Sequence, residues 1–317
     1  MNDMTIQPDA AVENTLSRAD LTEAVRSTAL LVRLTIGVWS GEKTDKRVGA
    51  EIKQHHNAVG DTGRYIKKLL AGCDVELKAT HTAYSRCRAY HLENTLPWES
   101  NQQASPAAGG QRNLGARLLT NMLFHKYVKG MGDLERAAKQ ARDAFLVEYG
   151  GRVVQAQANL AGMGDPEDYP DVAEVKARFR IDIDFQPVPA TGGFQGLPDA
   201  MLEKLGERLR GRQERAIAAA QADMWGRVRE GVSHLIDRLE DPETRFKSSS
   251  VEAVRTLITL LPGFNCGGDA RVNPVVADIT SMLEGISAED IRKNERVRQD
   301  VVAKAQALSA KLDQWGL

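Results

Sequence analysis

The sequence predicts a mainly α protein, with a helical N-terminal domain, a small β element (a hairpin) in the middle and a C-terminal bundle of long antiparallel helices. Two observations support this fold class. Aromatic residues make up only 5% of the 317 residues, a low share that is typical of helical proteins rather than sandwiches or barrels. Apolar residues recur at +3 and +4 spacing along most of the chain and alternate with polar residues in one short segment.

The chain is expected to divide into four parts. Residues 1–19 are polar and lack periodicity, which predicts a flexible arm. The segment at 162–171 contains two glycines and two prolines, which favour turns and mark a boundary. The parts are the arm at 1–19, a helical domain with a basic face at 20–161, an acidic turn with a short β element at 162–196, and a long-helix bundle at 197–317.

Apolar spacing predicts four helical stretches in the N-terminal domain. The first begins at Asp20, which has Glu23 three residues later, as in a capping box. The third ends before Pro97, because the residue before a proline disfavours helix. Small polar residues at 99–112 predict a flexible loop, and Gly130–Gly132 is expected to interrupt the fourth stretch. The stretches are Leu21–Ile36, residues 46–70 with a bend near Gly60, residues 74–96, and residues 114–160.

One segment, residues 179–185, alternates between apolar and charged side chains and is therefore predicted to be a β-strand. The prolines within 187–189 end it. A single strand needs a partner, so we expect either a hairpin through Thr191–Gly193 or pairing with a short distant strand.

The last third of the chain is expected to be helical. A segment from Pro198 to Leu239 has almost no helix breaker and would be about 60 Å long if continuous. It carries one apolar seam at Leu202, Leu205 and Leu209 and a second between Trp225 and Leu239, so the register must shift across the Ala-rich middle. Further helices are expected at 248–261, just after Pro274, and from Val297 to Trp315. This pattern predicts an antiparallel, coiled-coil-like bundle, and its seams are candidate docking surfaces for a protein partner or a second copy.

Several classes of protein are not expected. No apolar run approaches the 18–20 residues or so of a membrane span, no secretory signal is present, and three cysteines are too few for a disulfide framework. The chain also lacks a phosphate-binding loop, a G-x-S-x-G elbow and an H-E-x-x-H motif. We therefore predict a cytoplasmic protein that is not an enzyme, with no catalytic residues, no cofactor and no membrane partner.

The charge distribution favours a second kind of function. Residues 25–130 contain 16 basic and 8 acidic residues, although the whole chain has a net charge of −1. Basic side chains neutralise phosphates and neighbouring aromatic rings stack on bases, so this region is a candidate for nucleic-acid binding. Ordinary solvated helix faces explain the same charges. The candidate residues are Lys43, Lys46, Arg47, Lys53, Arg64, Lys67, Lys68, Arg86 and Arg88.

Two pairs of residues are candidates for metal ligands. Asp182 and Asp184 lie on the same face of the predicted strand and would suit Mg²⁺ or Mn²⁺, which would allow a metal-dependent nuclease. Cys87 and His91 lie one helical turn apart, as zinc ligands can. Simpler interpretations are that the aspartates face water and that the thiol is buried, so no metal site is predicted.

The order of segments resembles a family of uncharacterised proteins from tailed bacteriophages and prophages, over residues 25–315. The resemblance rests on Gly115–Leu119, on Asp165–Pro170, on Phe179–Pro189, on Arg245-Phe246 and on Leu257–Asn265. The chain departs from the family at Thr191–Phe194, where members often continue with charged residues.

The resemblance implies a place in a larger assembly. Members of the family are often encoded near a MoxR-type AAA+ ATPase and a von Willebrand A-type protein. This neighbourhood implies a non-enzymatic accessory or adaptor protein in the host cytoplasm that acts through protein–protein interaction, with such an ATPase as a candidate partner. Nucleic-acid binding in phage replication, recombination or counter-defence is the alternative. The family supplies no catalytic residue.

Overall fold

The computed structural model describes residues 18–60, 63–98, 115–190, 198–240 and 248–317. Most of the predicted N-terminal arm, the loop at 99–112, the turn at Thr191–Gly193, and Arg245-Phe246 lie outside these residues. Within them the chain forms ten α-helices and six β-strands. The predicted mainly α fold with a small β element is confirmed.

Helices α1–α10 are Arg18–Thr28, Lys46–His55, Val75–Glu93, Asn121–Leu160, Val172–Arg178, Asp199–Glu240, Ser248–Phe264, Val272–Leu283, Ala288–Lys293 and Glu295–Gln314. Strands β1–β6 are Ala29–Gly37, Glu42–Thr44, Ile66–Lys68, Leu96–Pro97, Ala116–Thr120 and Arg180–Pro187. Two 3₁₀ turns, Ala161–Met163 and Pro166–Asp168, connect α4 to α5.

Four strands form an antiparallel sheet in the order β4-β5-β1-β6. Strand β1 is inside the sheet, where Leu31 lies opposite Leu118 of β5 and Gln186 of β6. The strand predicted from alternation at 179–185 is therefore present as β6, and its partner is the distant β1 rather than a hairpin strand. Strands β2 and β3 form a separate antiparallel pair that places Lys43 opposite Lys67.

The prediction of helix was wrong for β1 and β5. Leu31, Val32 and Leu34 are all buried in β1, and Leu118 and Leu119 are buried in β5. A strand that is covered on both faces is apolar on both faces, so it lacks the alternation that identifies an edge strand such as β6. The predicted helix over residues 46–70 is likewise shorter, since α2 ends at His55 and β3 follows.

Helix α4 contains 40 residues and passes through Gly130 without interruption, which contradicts the predicted break. A side chain at residue 130 would meet Tyr90 of α3, because an added Cβ would lie 2.2 Å from Tyr90 Oη. That hydroxyl donates a hydrogen bond to Lys126 O at 2.9 Å. Gly130 is therefore a contact point between two helices rather than a helix terminator.

We expect Gly130→Ala to lower the free energy of unfolding by about 1–3 kcal/mol, because overpacking a helix interface strains its neighbours. The matched control is Gly132→Ala, where an added Cβ meets no atom within 4 Å. This control should gain about 0.5–1 kcal/mol from helix propensity. Urea unfolding of both variants measures the difference, and equal effects would contradict the assigned role of Gly130.

The C-terminal bundle agrees with the expectation in its main features. Helix α6 is continuous over 42 residues, and its second seam, from Trp225 to Leu239, is buried. Helix α7 runs past Pro262, and α8 begins at Val272, so the predicted loop between them is shorter than expected. Proline is tolerated at the start of α8 because the first helical N–H groups have no intrahelical acceptor.

One arginine of the bundle makes several hydrogen bonds to the N-terminal half. Arg227 of α6 donates hydrogen bonds to Glu93 O (2.8 Å), Leu92 O (3.0 Å) and Thr95 O (2.9 Å) at the C-terminal end of α3. Asp223 accepts a bond from the same guanidinium at 2.8 Å. The last carbonyls of a helix lack intrahelical donors, so this contact caps α3 from another part of the chain.

Candidate interaction surfaces

Residues 42–60 and 63–68, with strands β2 and β3 and helix α2, form a unit that we call the basic arm. Helix α2 has no buried residue, and Ile52 and Ile66 are exposed. Asp45 caps α2 by accepting a hydrogen bond from Val48 N at 3.1 Å. Because α2 buries no side chain, other contacts must hold the basic arm against the rest of the protein.

Those contacts converge on Lys67. Its side chain is 4% exposed, and its ammonium pairs with Asp45 at 3.1 Å and with Asp168 in the predicted acidic turn. The same ammonium donates a hydrogen bond to Met163 O at 2.8 Å. Lys43 pairs with Asp168 at 2.6 Å. We call these four side chains the clamp: Lys43, Asp45, Lys67 and Asp168.

The ionisation of the clamp follows from its geometry. The pKa of Asp45 is lowered, first by the bond from Val48 N and then by Lys67. Burial opposes ionisation of Asp168 and of Lys67, but the opposite charges outweigh it, so the pKa of Asp168 is lowered and that of Lys67 is raised. All the clamp's carboxylates are therefore ionised at neutral pH, and its charges cancel.

The clamp changes the interpretation of the predicted nucleic-acid surface. Lys67 is buried and is unsuitable as a phosphate contact, and Lys43 is bound to Asp168. Arg47 donates to Gly162 O at 3.0 Å, which also helps to hold the basic arm. Arg86 and Arg88 lie on α3, where Arg86 is exposed and Arg88 half-buried. The exposed cations that remain on the basic arm itself are Lys46, Lys53, Arg64 and Lys68.

Three of these cations surround one cleft. A cavity of about 230 Å³ lies between the start of α2 and residues 63–65, and it is lined by Lys46, Lys53, Arg64 and Tyr65. Asp45 lines it as well, so the site is not purely cationic. The cleft combines three positive charges, one carboxylate and an aromatic ring, which suits a phosphate with an attached base.

The cysteine and histidine candidates do not form a metal site. Cys87 and His91 are both buried, and the Cys87 thiol contacts Ala83 O on its own helix. Burial raises the pKa of that thiol to about 11, which disfavours the thiolate that a metal needs. No group of three or more potential metal ligands occurs among the residues that the structure describes.

His91 has a structural contact instead. Its Nδ1 lies 2.8 Å from Tyr127 Oη, between α3 and α4. Burial, and secondarily the charge of Arg117, lower the pKa of His91 to about 3. The imidazole is therefore neutral at physiological pH and belongs to the core.

Asp182 and Asp184 are exposed on β6, as the simpler interpretation predicts. Asp182 lies opposite Thr35 and Asp184 opposite Arg33, so the neighbouring strand adds no carboxylate to the pair. The acidic residues of the preceding turn are engaged elsewhere. Asp165 accepts from Glu167 N at 3.0 Å, Asp171 accepts from Glu174 N at 2.7 Å, and Asp168 belongs to the clamp.

The first turns of α6 present a different surface. Leu202, Leu205 and Leu209 are partly exposed, and Met201 beside them is 61% exposed. These three leucines do not pack against the hydrophobic core of the described residues, whereas the later seam of the same helix does. We call Met201, Leu202, Leu205 and Leu209 the α6 surface. It corresponds to the first seam identified in the sequence.

Sequence reasoning missed two residues that matter here. In the sequence, Asp168 is identified only as part of Asp165–Pro170, one of the motifs that carry the resemblance, and its pairing with Lys67 joins segments far apart in the chain. Asp45 was not identified, although an Asp directly before a helical segment is a typical N-cap and could have been found. Two of the segments on which the resemblance rests contain Asp168 and Arg117. Arg117 binds Thr95 Oγ1 at 2.7 Å and Thr95 O at 2.8 Å, so both residues have structural roles.

Among the described helices, none combines the length and the apolar character that crossing a bilayer requires. Comparison of the chain with protein-family models, with curated proteins and with solved structures finds no match in any of the three.

Proposed function

We propose that the protein is a non-enzymatic accessory or adaptor protein that binds a protein partner through the α6 surface. The observation that supports this proposal is that Leu202, Leu205 and Leu209 are partly exposed and do not pack against the hydrophobic core of the described residues. The later turns of the same helix do pack against it. Apolar side chains spaced by three and four residues on one helix face are the usual anchors for docking in a partner's groove. A partner that covered the apolar area these side chains still expose would gain the free energy of its burial.

The resemblance to the phage family suggests the partner. A MoxR-type AAA+ ATPase, together with a von Willebrand A-type protein, would make this chain an accessory of an ATP-driven remodelling machine in the host cytoplasm. The chain would then contribute binding, and the ATPase would contribute the chemistry.

The test is to mix the purified chain with a MoxR-type ATPase from the same genome. Sedimentation detects the complex, and the rate of ATP hydrolysis shows whether the chain affects the ATPase. We expect a complex and a changed hydrolysis rate. Replacing Leu202, Leu205 and Leu209 by Gln should weaken the complex by tenfold or more, because several anchors of roughly 1 kcal/mol each would be lost.

Ala219→Gln is the matched control, because Ala219 is an exposed residue of the same helix outside the α6 surface. This variant should bind like the parent chain. Circular dichroism establishes that both variants fold. Unchanged binding by the triple variant would contradict the docking site, and turnover of nucleotide or nucleic acid by the chain alone would contradict a non-enzymatic role.

Nucleic-acid binding by the basic arm is the second candidate function. The specific observation in its favour is the cleft where Lys46, Lys53 and Arg64 surround Tyr65. The candidate surface therefore contains three of the nine basic residues identified in the sequence.

Fluorescence anisotropy with labelled single- and double-stranded DNA across salt concentrations tests this candidate. Replacing Lys46, Lys53 and Arg64 together by Glu should abolish binding. Losing a single phosphate contact should reduce, by about 1, the slope of the logarithm of the binding constant against the logarithm of the salt concentration. Arg136→Glu on α4 is a control outside the cleft. Binding that survives the triple reversal would exclude the cleft, and no binding at low salt would exclude the function. Lys67 is left intact because it holds the basic arm in place.

A further inference from the structure

The solvent face of α4 carries a second apolar seam, which the proposed function does not use. Its positions follow alternating steps of three and four residues across three heptads, and all seven are exposed. Val147 is 82% exposed and Val154 is 69% exposed. The α4 seam consists of Ala137, Gln140, Ala144, Val147, Gly151, Val154 and Ala158.

This seam faces away from the core. The buried residues of the same stretch, Ala138, Phe145, Tyr149 and Ala156, lie on the opposite side of α4. The seam covers 22 residues and would be about 33 Å long. Six of its seven positions are Ala, Gly or Val and the seventh is the polar Gln140, so it offers a helix-length surface of mostly small and branched apolar residues, along which helices can associate closely.

The charges along the seam point to a neutral partner. Between residues 133 and 158, α4 has four acidic and four basic side chains. All four basic ones are paired within this chain: Arg136 with Asp133, Lys139 with Glu135, Arg142 with Asp143, and Arg152 with Glu76. The flanks have no surplus for a strongly charged ligand, and they do not repel an identical surface.

Side-chain size specifies the partner further. In an antiparallel pair of α4 helices, Val147 can lie opposite the second copy's Ala144, and Val154 opposite the second copy's Ala137, so that each large residue meets a small one. The same register places Gln140 opposite the second copy's Gly151. A parallel pair would instead bring Asp143 beside the second copy's Glu148, two like charges.

We propose that the α4 seam is a homodimer interface in which two copies of this chain pair their α4 helices antiparallel. The proposal is independent of the α6 surface, which lies on a different helix. Sedimentation velocity of the full chain over a range of concentrations tests it. The parent chain should sediment with twice the monomer mass of 34.8 kDa.

Replacing Val147 and Val154 by Glu should give a monomer at every concentration at which the parent is dimeric. Val59→Glu is the matched control, because Val59 is 96% exposed on the basic arm, away from α4. It should leave the dimer intact. A monomeric parent chain, or a dimer that survives the double substitution, would overturn the proposal.

Cysteine cross-linking tests the orientation. The antiparallel register places Ala158 opposite the second copy's Asp133, so a chain carrying both Asp133→Cys and Ala158→Cys should form a covalent dimer on oxidation. The Ala158→Cys chain alone should not. Cross-linking by the single variant would indicate a parallel pair and would overturn the antiparallel arrangement.

Discussion

Acidification from pH 6.5 to pH 4.5 is expected to reduce the free energy of unfolding by about 2 kcal/mol because of His91 alone, since half of the unfolded chains already carry the proton at pH 6.5. The histidine is fully buried, and its pKa is lowered to about 3 in the folded protein. In the unfolded chain the imidazole titrates near 6.5. Between these two values the unfolded state binds a proton that the folded state does not, so stability falls by about 1.4 kcal/mol for each pH unit on acidification.

Urea unfolding at several pH values measures this slope. His91→Gln should flatten it, because Gln keeps a polar group near Tyr127 but does not titrate. His125→Gln is the matched control: His125 is exposed on α4 and its replacement should leave the slope unchanged. The readout is the pH dependence, so a general loss of stability in either variant does not affect the test. An unchanged slope in His91→Gln would show that this imidazole is not the titrating group.

Replacing Lys67 by Met is expected to release the basic arm, with a loss of about 2–3 kcal/mol. Removing one partner of a deeply buried ion pair typically costs about 3–5 kcal/mol, and the slight exposure of the clamp reduces the figure. The ammonium pairs with Asp45 and Asp168 and also bonds to Met163 O, so its removal leaves two carboxylates facing one another. Hydrogen exchange should show faster exchange in α2 and β3.

The neighbouring Lys68→Met is the control, since Lys68 is exposed on the same strand. It should change exchange very little. Adding Asp168→Asn to Lys67→Met should restore part of the protection, because it removes the excess negative charge that the loss of Lys67 leaves beside Lys43 in the clamp. Equal effects of the two lysine substitutions would contradict the role of the clamp.

The pH window of the clamp differs from that of His91. Its carboxylates have lowered pKa values in the folded protein. Their contribution to stability is therefore complete above about pH 4, the pKa of aspartate in the unfolded chain, and is lost as the pH falls further. The raised pKa of Lys67 has the opposite consequence: its contribution is complete below about pH 10.5 and is lost on further alkalinisation. The stability of the basic arm should therefore be constant through neutral pH, where the His91 effect begins.

The success of prediction depended on how many faces of an element are buried. Strand β6 lies at one edge of the sheet's strand order, alternates between apolar and charged residues, and was identified from sequence. Strand β1 is covered on both faces, and its apolar residues fit a helix equally well. The long helices α6 and α10 were identified because their one-sided seams extend over many turns. Gly130 was interpreted as a helix break because the residue that requires a glycine there, Tyr90, lies on another helix and is not recognisable from the local sequence.

The candidate sites were less predictable for a related reason. Exposed charges and buried charges look alike in a sequence, so Lys67 was grouped with Lys46 and Lys53 as a phosphate contact. What separates them is Asp168, which approaches only after the acidic turn folds against β3. The α6 surface could be identified because an apolar seam is a local pattern. Whether a given seam is buried, as between Trp225 and Leu239, depends on the rest of the bundle.

The order of the strands has a consequence for synthesis on the ribosome. Strand β1 emerges first, yet it lies between β5 and β6, which are translated later. At typical elongation rates, the edge of β1 that pairs with β6 stays unpaired for on the order of ten seconds or more, until β6 has been synthesised. During that time a nascent chain presents an apolar strand with unpaired backbone groups, the kind of segment that aggregates or recruits chaperones. A truncated product that ends before Arg180 keeps this edge open permanently, whereas one that ends after Pro187 contains every strand of the sheet.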